Sequence, residues 1–259
     1  MRPWRLIIDK PRGAAENMAV DEAILKSCAE SCAPPTLRIY SWLKPSISLG
    51  YLQPVTPARL DLEYCREAGI EIVRRITGGR AVIHGTDVTF SIALGESDLP
   101  EGCGSVIASH RWLMGGIVEG LRSLGIEAEI GPERAIAQSE MSADCFAHVA
   151  ECDVRVGNEK VVGSAQVRRW GALLEQGSIP RAAPSFDVTR VFGRPAKPYR
   201  EHLLAQKSPD EISQALIKGF NIALAQPLQQ ADLTTRELSC AADLAAEKYS
   251  TEAWTCRLK

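Results

Sequence analysis

Apolar residues along this chain switch between helical and strand spacing, and each switch marks an expected element. Trp4 to Asp9 reads as a first strand, and Asn17 to Leu25 places apolar residues at helical intervals. Leu37-Arg38-Ile39-Tyr40 alternates as a strand does, and Ser46 to Gly50 is a short strand entered through Pro45. Leu60 to Ala68 has a helical pattern stopped at Gly69. Ile70 to Arg74 is a strand running into the Gly78-Gly79 turn, and Val82 to His84 and Val88 to Leu94 are expected to continue the same sheet beyond it. Ser105 to Leu124 is a long amphipathic helix ending at Gly125, and Ile126 to Ile130 is a strand. Residues 131–150 show little periodicity and read as a loop. Asp153 to Val156 and Lys160 to Val162 flank Gly157-Asn158, a pair suited to a hairpin turn, and Ala172 to Ile179 is a further strand.

The pattern changes after about residue 185. Ser208-Pro209-Asp210-Glu211 combines an N-cap serine, a proline in the first turn and a capping-box glutamate, so a helix should run to about Leu224. Thr234 and Glu237 repeat the capping logic ahead of a helix toward Tyr249. Mixed strands and helices, with hairpins rather than strict βαβ alternation, predict an α+β fold. The organisation expected is a core over residues 1–185 and a mainly helical C-terminal extension, 186–259, packed on it as part of one domain.

Composition narrows the function classes. A chain of 259 residues that is 45% apolar is large enough for a sizeable core. Its net charge of −2 gives no global basic field for nucleic acid, and no apolar run is long enough to span a membrane. The N-terminus lacks a secretory pattern, and a cytoplasmic location is expected. The eight cysteines (28, 32, 65, 103, 145, 152, 240 and 256) form no CxxC, and the four histidines form no HExxH, so no metal is expected. Cys28 and Cys32, one helical turn apart, read as reduced structural thiols.

Two stretches carry candidate chemistry. In Arg74-Arg75-Ile76-Thr77-Gly78-Gly79-Arg80, two glycines tolerate positive φ and let backbone N–H groups approach a ligand. Arg74, Arg75 and Arg80 could meet a phosphate or carboxylate there; the plainer reading is a tight strand connection with solvated charges. The second stretch pairs Cys145 with Lys160. A thiol attacks as thiolate, and a nearby ammonium favours that form. A lone cysteine is ordinarily an inert thiol, and a lysine after a hairpin turn is ordinarily a solvated charge. Lys160, however, leads into Val161-Val162-Gly163-Ser164-Ala165, where small residues let a ligand chain pass near the backbone. Together these features suggest acyl transfer through a thioester. His148 and Cys152 are weaker candidates for base and nucleophile.

The same stretches are familiar in combination. Arg74-Arg75-x-Thr77-Gly78-Gly79-Arg80-x-Val82-x-His84 resembles the arginine–glycine signature of the biotin/lipoate protein ligase superfamily, and Lys160 to Gln166 resembles its lysine motif. Within that superfamily the chain is most similar to LipM-type octanoyltransferases. Asn17 to Ala23 matches their first helix, Trp42 to Gln53 the strand after it, Cys145-Phe146 the segment that keeps their acyl-accepting cysteine, and Lys248-Tyr249 with Trp254 their ending. The resemblance implies a mixed β-sheet with flanking helices of the ligase catalytic-domain type. It also implies that Cys145 takes octanoyl from acyl carrier protein and passes it to the lysine of a lipoyl domain, with Lys160 as acid/base. Arg75, Thr77, Gly78, Gly79, Arg80, His84, Gly163, Ser164 and Ala165 would hold substrate. Backbone N–H groups near Gly163 or Gly79 would serve as oxyanion donors, and no cofactor is required because the donor is already a thioester. Arg168 and Arg169 are candidates for docking an acidic carrier.

Two departures from the resemblance stand out. Gln176-Gly177 occupies the place of a His-Gly pair, and Gly85 follows His84 where relatives often carry an acid. Three other readings stay open: an ATP-dependent lipoate ligase, an amidotransferase between lipoyl domains, and a noncatalytic carrier-protein binder. Cys145, and Arg80 in place of a third glycine, argue against the ligase; Gln176 keeps the binder in view.

Overall fold

The computed structural model describes residues 2–56, 60–131, 153–193 and 203–258. Among these residues it is a mixed α+β fold built on two sheets. Eight strands form the larger: β1 (Arg5–Ile8), β2 (Thr36–Tyr40), β6 (Asp87–Gly95), β7 (Glu129–Ile130), β8 (Val154–Val156), β9 (Glu159–Arg169), β10 (Ala172–Pro180) and β11 (Gln229–Gln230). Their spatial order is β11-β1-β2-β6-β10-β9-β8-β7. β1 runs parallel to β2 and β11, and the remaining pairs are antiparallel. The smaller sheet has β3 (Ser46–Leu49) between β4 (Glu71–Arg74) and β5 (Val82–His84).

Strand alternation explains the layers. In β6, Val88, Phe90, Ile92 and Leu94 point to one face of the large sheet, where they pack with α3 (Val106–Ser123) and α5 (Pro209–Ala223). Thr89, Ser91 and Ala93 face the other way, toward α1 (Ala14–Ala29), and all nine β6 residues are buried. A strand with large apolar residues on one face and small or polar ones on the other normally borders water; here the second face is covered by α1 and by the small sheet. α6 (Thr235–Leu244) packs on α1, while α2 (Leu62–Glu67) and α4 (Val188–Phe192) cover the small sheet.

The expected single sheet through residues 70–94 is corrected by these pairings. β4 and β5 flank β3 in the small sheet, whereas β6 enters the large one between β2 and β10. Gly85, at φ 121°, makes the turn between them against Pro45. The strand expected over residues 126–130 shrinks to β7, because the segment after α3 is first used as a helix stop: Gly125 sits at φ 78° and Ile126 N–H bonds back to Leu121. β9 is longer than expected, continuing through Gly163 to Arg169 because β10 pairs with it along its length.

The C-terminal portion is mainly helical, yet it also supplies the edge strand β11. Both capping boxes form, at Ser208–Glu211 and Thr234–Glu237. Glu237 does double duty, taking two hydrogen bonds from Arg5 of β1 in a buried ion pair. After α6 a π-helical turn, 245–249, leads to α7 (Glu252–Thr255), whose Thr255 carbonyl accepts from the fully buried Arg74.

Candidate active site

A cleft opens between the two sheets where their short-side-chain faces meet. It encloses about 360 Å³, counting its opening to solvent, and most of its exposed lining is apolar. One wall comes from β9 and β10: Gly163, Ser164 and Ala165 stand beside Ser178, Gly177 and Gln176, their register partners. The opposite wall comes from Ser48, Val82 and His84 of the small sheet, and Met18 of α1, Tyr40, Trp42 and Arg75 complete it. Gly163 and Ala165 keep the near side of β9 low. Gly177 serves the far side of the sheet, where a Cβ would overlap the Phe90 ring.

The glycine loop is shaped by its own arginine. Arg75 donates to the carbonyls of Ser48 (2.8 Å), Gly78 (2.7 Å) and Arg80 (2.7 Å), and so clamps the turn. Gly79 takes φ 88°, and the carbonyl it presents abuts Gly50 so closely that a Cβ on Gly50 would overlap it. Gly78 needs no such freedom. The expectation that three arginines meet an anion is therefore narrowed. Arg74 is buried and bonded to the carbonyls of Gly50, Gln53 and Thr255. Arg75 lines the cleft with its guanidinium bonded to those carbonyls and to the Ser48 hydroxyl, and Arg80 keeps one buried Nη1 without a hydrogen-bond partner among the described residues.

A hydrogen-bonded chain fixes the small-sheet wall. His84 Nδ1 lies 2.8 Å from Asp87 Oδ2, and His84 Nε2 lies 2.8 Å from Ser48 Oγ. Trp42 stacks on the imidazole at 4.0 Å and donates its Nε1–H to Thr89. Burial alone would raise the Asp87 carboxyl. The imidazole beside it and the hydroxyls of Ser178 and Thr89 outweigh burial and hold it below the usual carboxylate range. Nδ1 thus faces an ionised carboxylate and carries a proton.

A second network closes the other end. Asp21 of α1, fully buried, accepts from Arg38 (2.7 Å), Tyr40 (2.9 Å), Ser91 (2.6 Å) and Gln176 Nε2 (2.6 Å). Gln176 Oε1 accepts from Thr77 of the glycine loop at 2.8 Å. Asn17, one helical turn before Asp21, accepts from Arg38 through its side chain and bonds the carbonyls of Arg12 and Ser41. The motif Asn17-Met18-Ala19-Val20-Asp21-Glu22 is thereby explained: Asn17 and Asp21 hold Arg38, Met18 lines the cleft, and Glu22 holds Lys248 and Tyr249.

Lys160 lies on β9, three residues before Gly163, with its side chain 4% exposed. It is not the solvated edge charge that a post-turn lysine usually is: its Nζ is 2.9 Å from Asp153 Oδ1, in a buried ion pair. Cys145, His148 and Cys152 fall outside the described residues. Arg168 is tied to Glu96 and to the carbonyls of Gly104 and Ser105, which removes it as a free docking cation. Arg169 and Arg257 both stand over the Tyr51 ring. Sequence reasoning did not assign roles to Asp153, Asp87 or Asp21. Two signals were present: an acid three residues from His84, and polar Thr89 and Ser91 at inward positions of an otherwise apolar strand.

Comparison with known proteins agrees with this architecture. Residues 13–220 match the family described as the lipoyl protein ligase A/B catalytic domain. An octanoyltransferase LipM from Kyrpidia tusciae is 38% identical over 99% of this chain and 100% of its own. The crystal structure of a lipoate-protein ligase A bound with ATP superposes with a TM-score of 0.81 at 29% identity, covering all of both chains. A bipartite lipoate protein ligase from Thermoplasma acidophilum, determined in a study that includes its E2 lipoyl domain, gives 0.76 at 27% identity over 100% of this chain and 98% of its own. With its cleft between two sheets, its clamped glycine loop and its buried lysine on β9, the chain belongs to the lipoyl protein ligase A/B catalytic domain family.

Proposed function

We propose that this protein is an octanoyl-[acyl-carrier-protein]:protein N-octanoyltransferase working through a cysteine thioester. One observation supports this reading above the others: a narrow, mostly apolar cleft runs beside β9, and the same strand carries a buried ammonium at Lys160. An eight-carbon chain buried there gains about 0.8 kcal/mol per CH₂. In the first step the Cys145 thiolate attacks the thioester carbonyl of the carrier-bound octanoyl group. The new C–S bond forms, the carrier thiolate departs, and it takes the proton that Cys145 gave up through Lys160. In the second step the amine of an acceptor lysine attacks the acyl-cysteine, an amide forms, and the amine's proton returns to the cysteine sulfur by the same lysine. Thioester exchange is nearly isoenergetic and amide formation from a thioester is downhill, so no nucleotide is consumed. The acceptor is a lipoyl-domain protein, such as the glycine cleavage H protein, and both partners place the reaction in the cytoplasm.

Intact mass spectrometry tests the reading. Mixing the protein with octanoyl carrier protein and no ATP should add one octanoyl group, released by hydroxylamine and absent in Cys145→Ser. Lipoyl-domain modification that requires ATP and free octanoate would instead identify a ligase. No adduct and no transfer would leave a carrier-protein binder.

A further inference from the structure

The cleft has a built end. Along β9 and β10 its layers are set by register: Gly163 beside Ser178, Ser164 beside Gly177, and Ala165 beside Gln176. Strands rise about 3.3 Å per residue, so Ala165 lies about 7 Å beyond Gly163 and about 17 Å beyond Lys160. An extended eight-carbon chain measures about 9 Å from carbonyl carbon to methyl, given single C–C bonds of about 1.5 Å. A carbonyl held about 2 Å short of the level of Gly163 therefore brings its methyl to the layer of Ala165 and Gln176.

At that layer the wall does not yield. Gln176 is 7% exposed, and its amide is engaged at both ends, by Thr77 at 2.8 Å and by Asp21 at 2.6 Å. Asp21 is in turn held by the wholly buried Arg38, by Tyr40 and by Ser91. Swinging the Gln176 side chain aside would leave a buried hydroxyl without its acceptor and remove a donor from a buried carboxylate, both costly. Met18 completes the wall, with its sulfur 3.4 Å from Gln176 Nε2. A wall of apolar side chains alone would repack around a longer guest; this one is pinned by an ionic network reaching three strands and a helix.

We propose that Gln176, held by Thr77 and Asp21 and backed by Met18, is the chain-length stop of the acyl cleft and limits it to eight carbons. The inference rests on the acyl-transfer reading and supplies its specificity. It also gives the amide at position 176 a role that needs no proton transfer.

The experiment offers carrier protein loaded with hexanoyl, octanoyl, decanoyl or dodecanoyl groups and follows initial rates of adduct formation by mass. Wild-type rates should fall beyond eight carbons. Gln176→Ala opens room for two methylenes, and at about fourfold per buried CH₂ the decanoyl-to-octanoyl ratio should rise about fifteenfold. Met18→Ala, which leaves the Thr77 and Asp21 hydrogen bonds of Gln176 in place, should shift the profile in the same direction and serves if Gln176→Ala fails to fold. A wild-type protein that takes dodecanoyl as fast as octanoyl overturns the inference, as does an unchanged profile in a folded variant. If no donor forms an adduct, the transfer reading fails by itself. The length limit is then read from the melting temperature with free C6 to C12 fatty acids: a maximum at C8 supports it, and a steady rise through C12 overturns it.

Discussion

Asp21 gathers hydrogen-bond donors from β2, β6 and β10 onto one carboxylate, and the neutral amide of Gln176 is one of them. In the sequence Gln176 reads only as the loss of a group that carries protons; in the structure it joins the glycine loop to α1. Asp153 is another residue whose role emerges only in three dimensions. Removing one member of a buried ion pair leaves the other charge desolvated, so Asp153→Ala should cost about 3–5 kcal/mol in urea unfolding. The double variant Asp153→Asn with Lys160→Met, which removes both charges at similar volume, should recover most of that loss. Equal losses in the single and double variants would show that the buried charge left on Lys160 is not the source of the cost. His84, Gly163 and Ala165 line the cleft, and Thr77 and Gly79 lie in the loop beside it; the sequence marked them because their types suit a close-approach loop and a low strand. Their hydrogen-bond partners were not legible, since a polar residue in a sequence does not announce which distant group it meets.

At the scale of elements, the helices and turns are the most legible features. Ser208 and Thr234 cap where expected, and Gly157-Asn158 turns the β8–β9 hairpin. The crossing of α3 and α5 is less legible. Gly219 of α5 lies against the backbone of Gly116 and Gly120 in α3, and a Cβ there would overlap both. Helix propensity alone ranks alanine above glycine by about 1 kcal/mol. Gly219→Ala should nevertheless destabilise, by about 1–3 kcal/mol from overpacking, and lower the thermal midpoint. A higher midpoint would mean that the helices separate without penalty. The sign of that substitution comes from packing, which a single helix's pattern does not contain.

For the molecule as a whole, buried carboxylates set the acid limit. Burial would raise Glu237, but hydrogen bonds from Arg5 and the capping contacts of Thr234 outweigh it and hold its carboxyl low. Asp9 is likewise low despite burial, through hydrogen bonds and charge from Arg12 and Arg38. Asp87 is low through His84, Ser178 and Thr89. A depressed folded pKa contributes stability that is present above the unfolded value and lost as pH falls through the folded one. Stability should therefore hold near neutral pH and decline as pH drops below the ordinary glutamate and aspartate values of 4.5 and 3.8. Glu237→Gln should flatten the early part of that decline in urea midpoints measured from pH 6 to 3; an unchanged slope would remove Glu237 as a contributor.

By itself the sequence determined most of the elements, with their caps and turns, and marked the small-residue strand and the glycine loop. These follow from interactions between residues a few positions apart, which periodicity records. Only the tertiary structure decided that β5 and β6 part into different sheets, that Asp153 pairs with Lys160, and that Gln176 meets Asp21 across 155 residues of chain. Such meetings depend on which faces are buried against each other, and a local pattern says that a face is buried without saying by what.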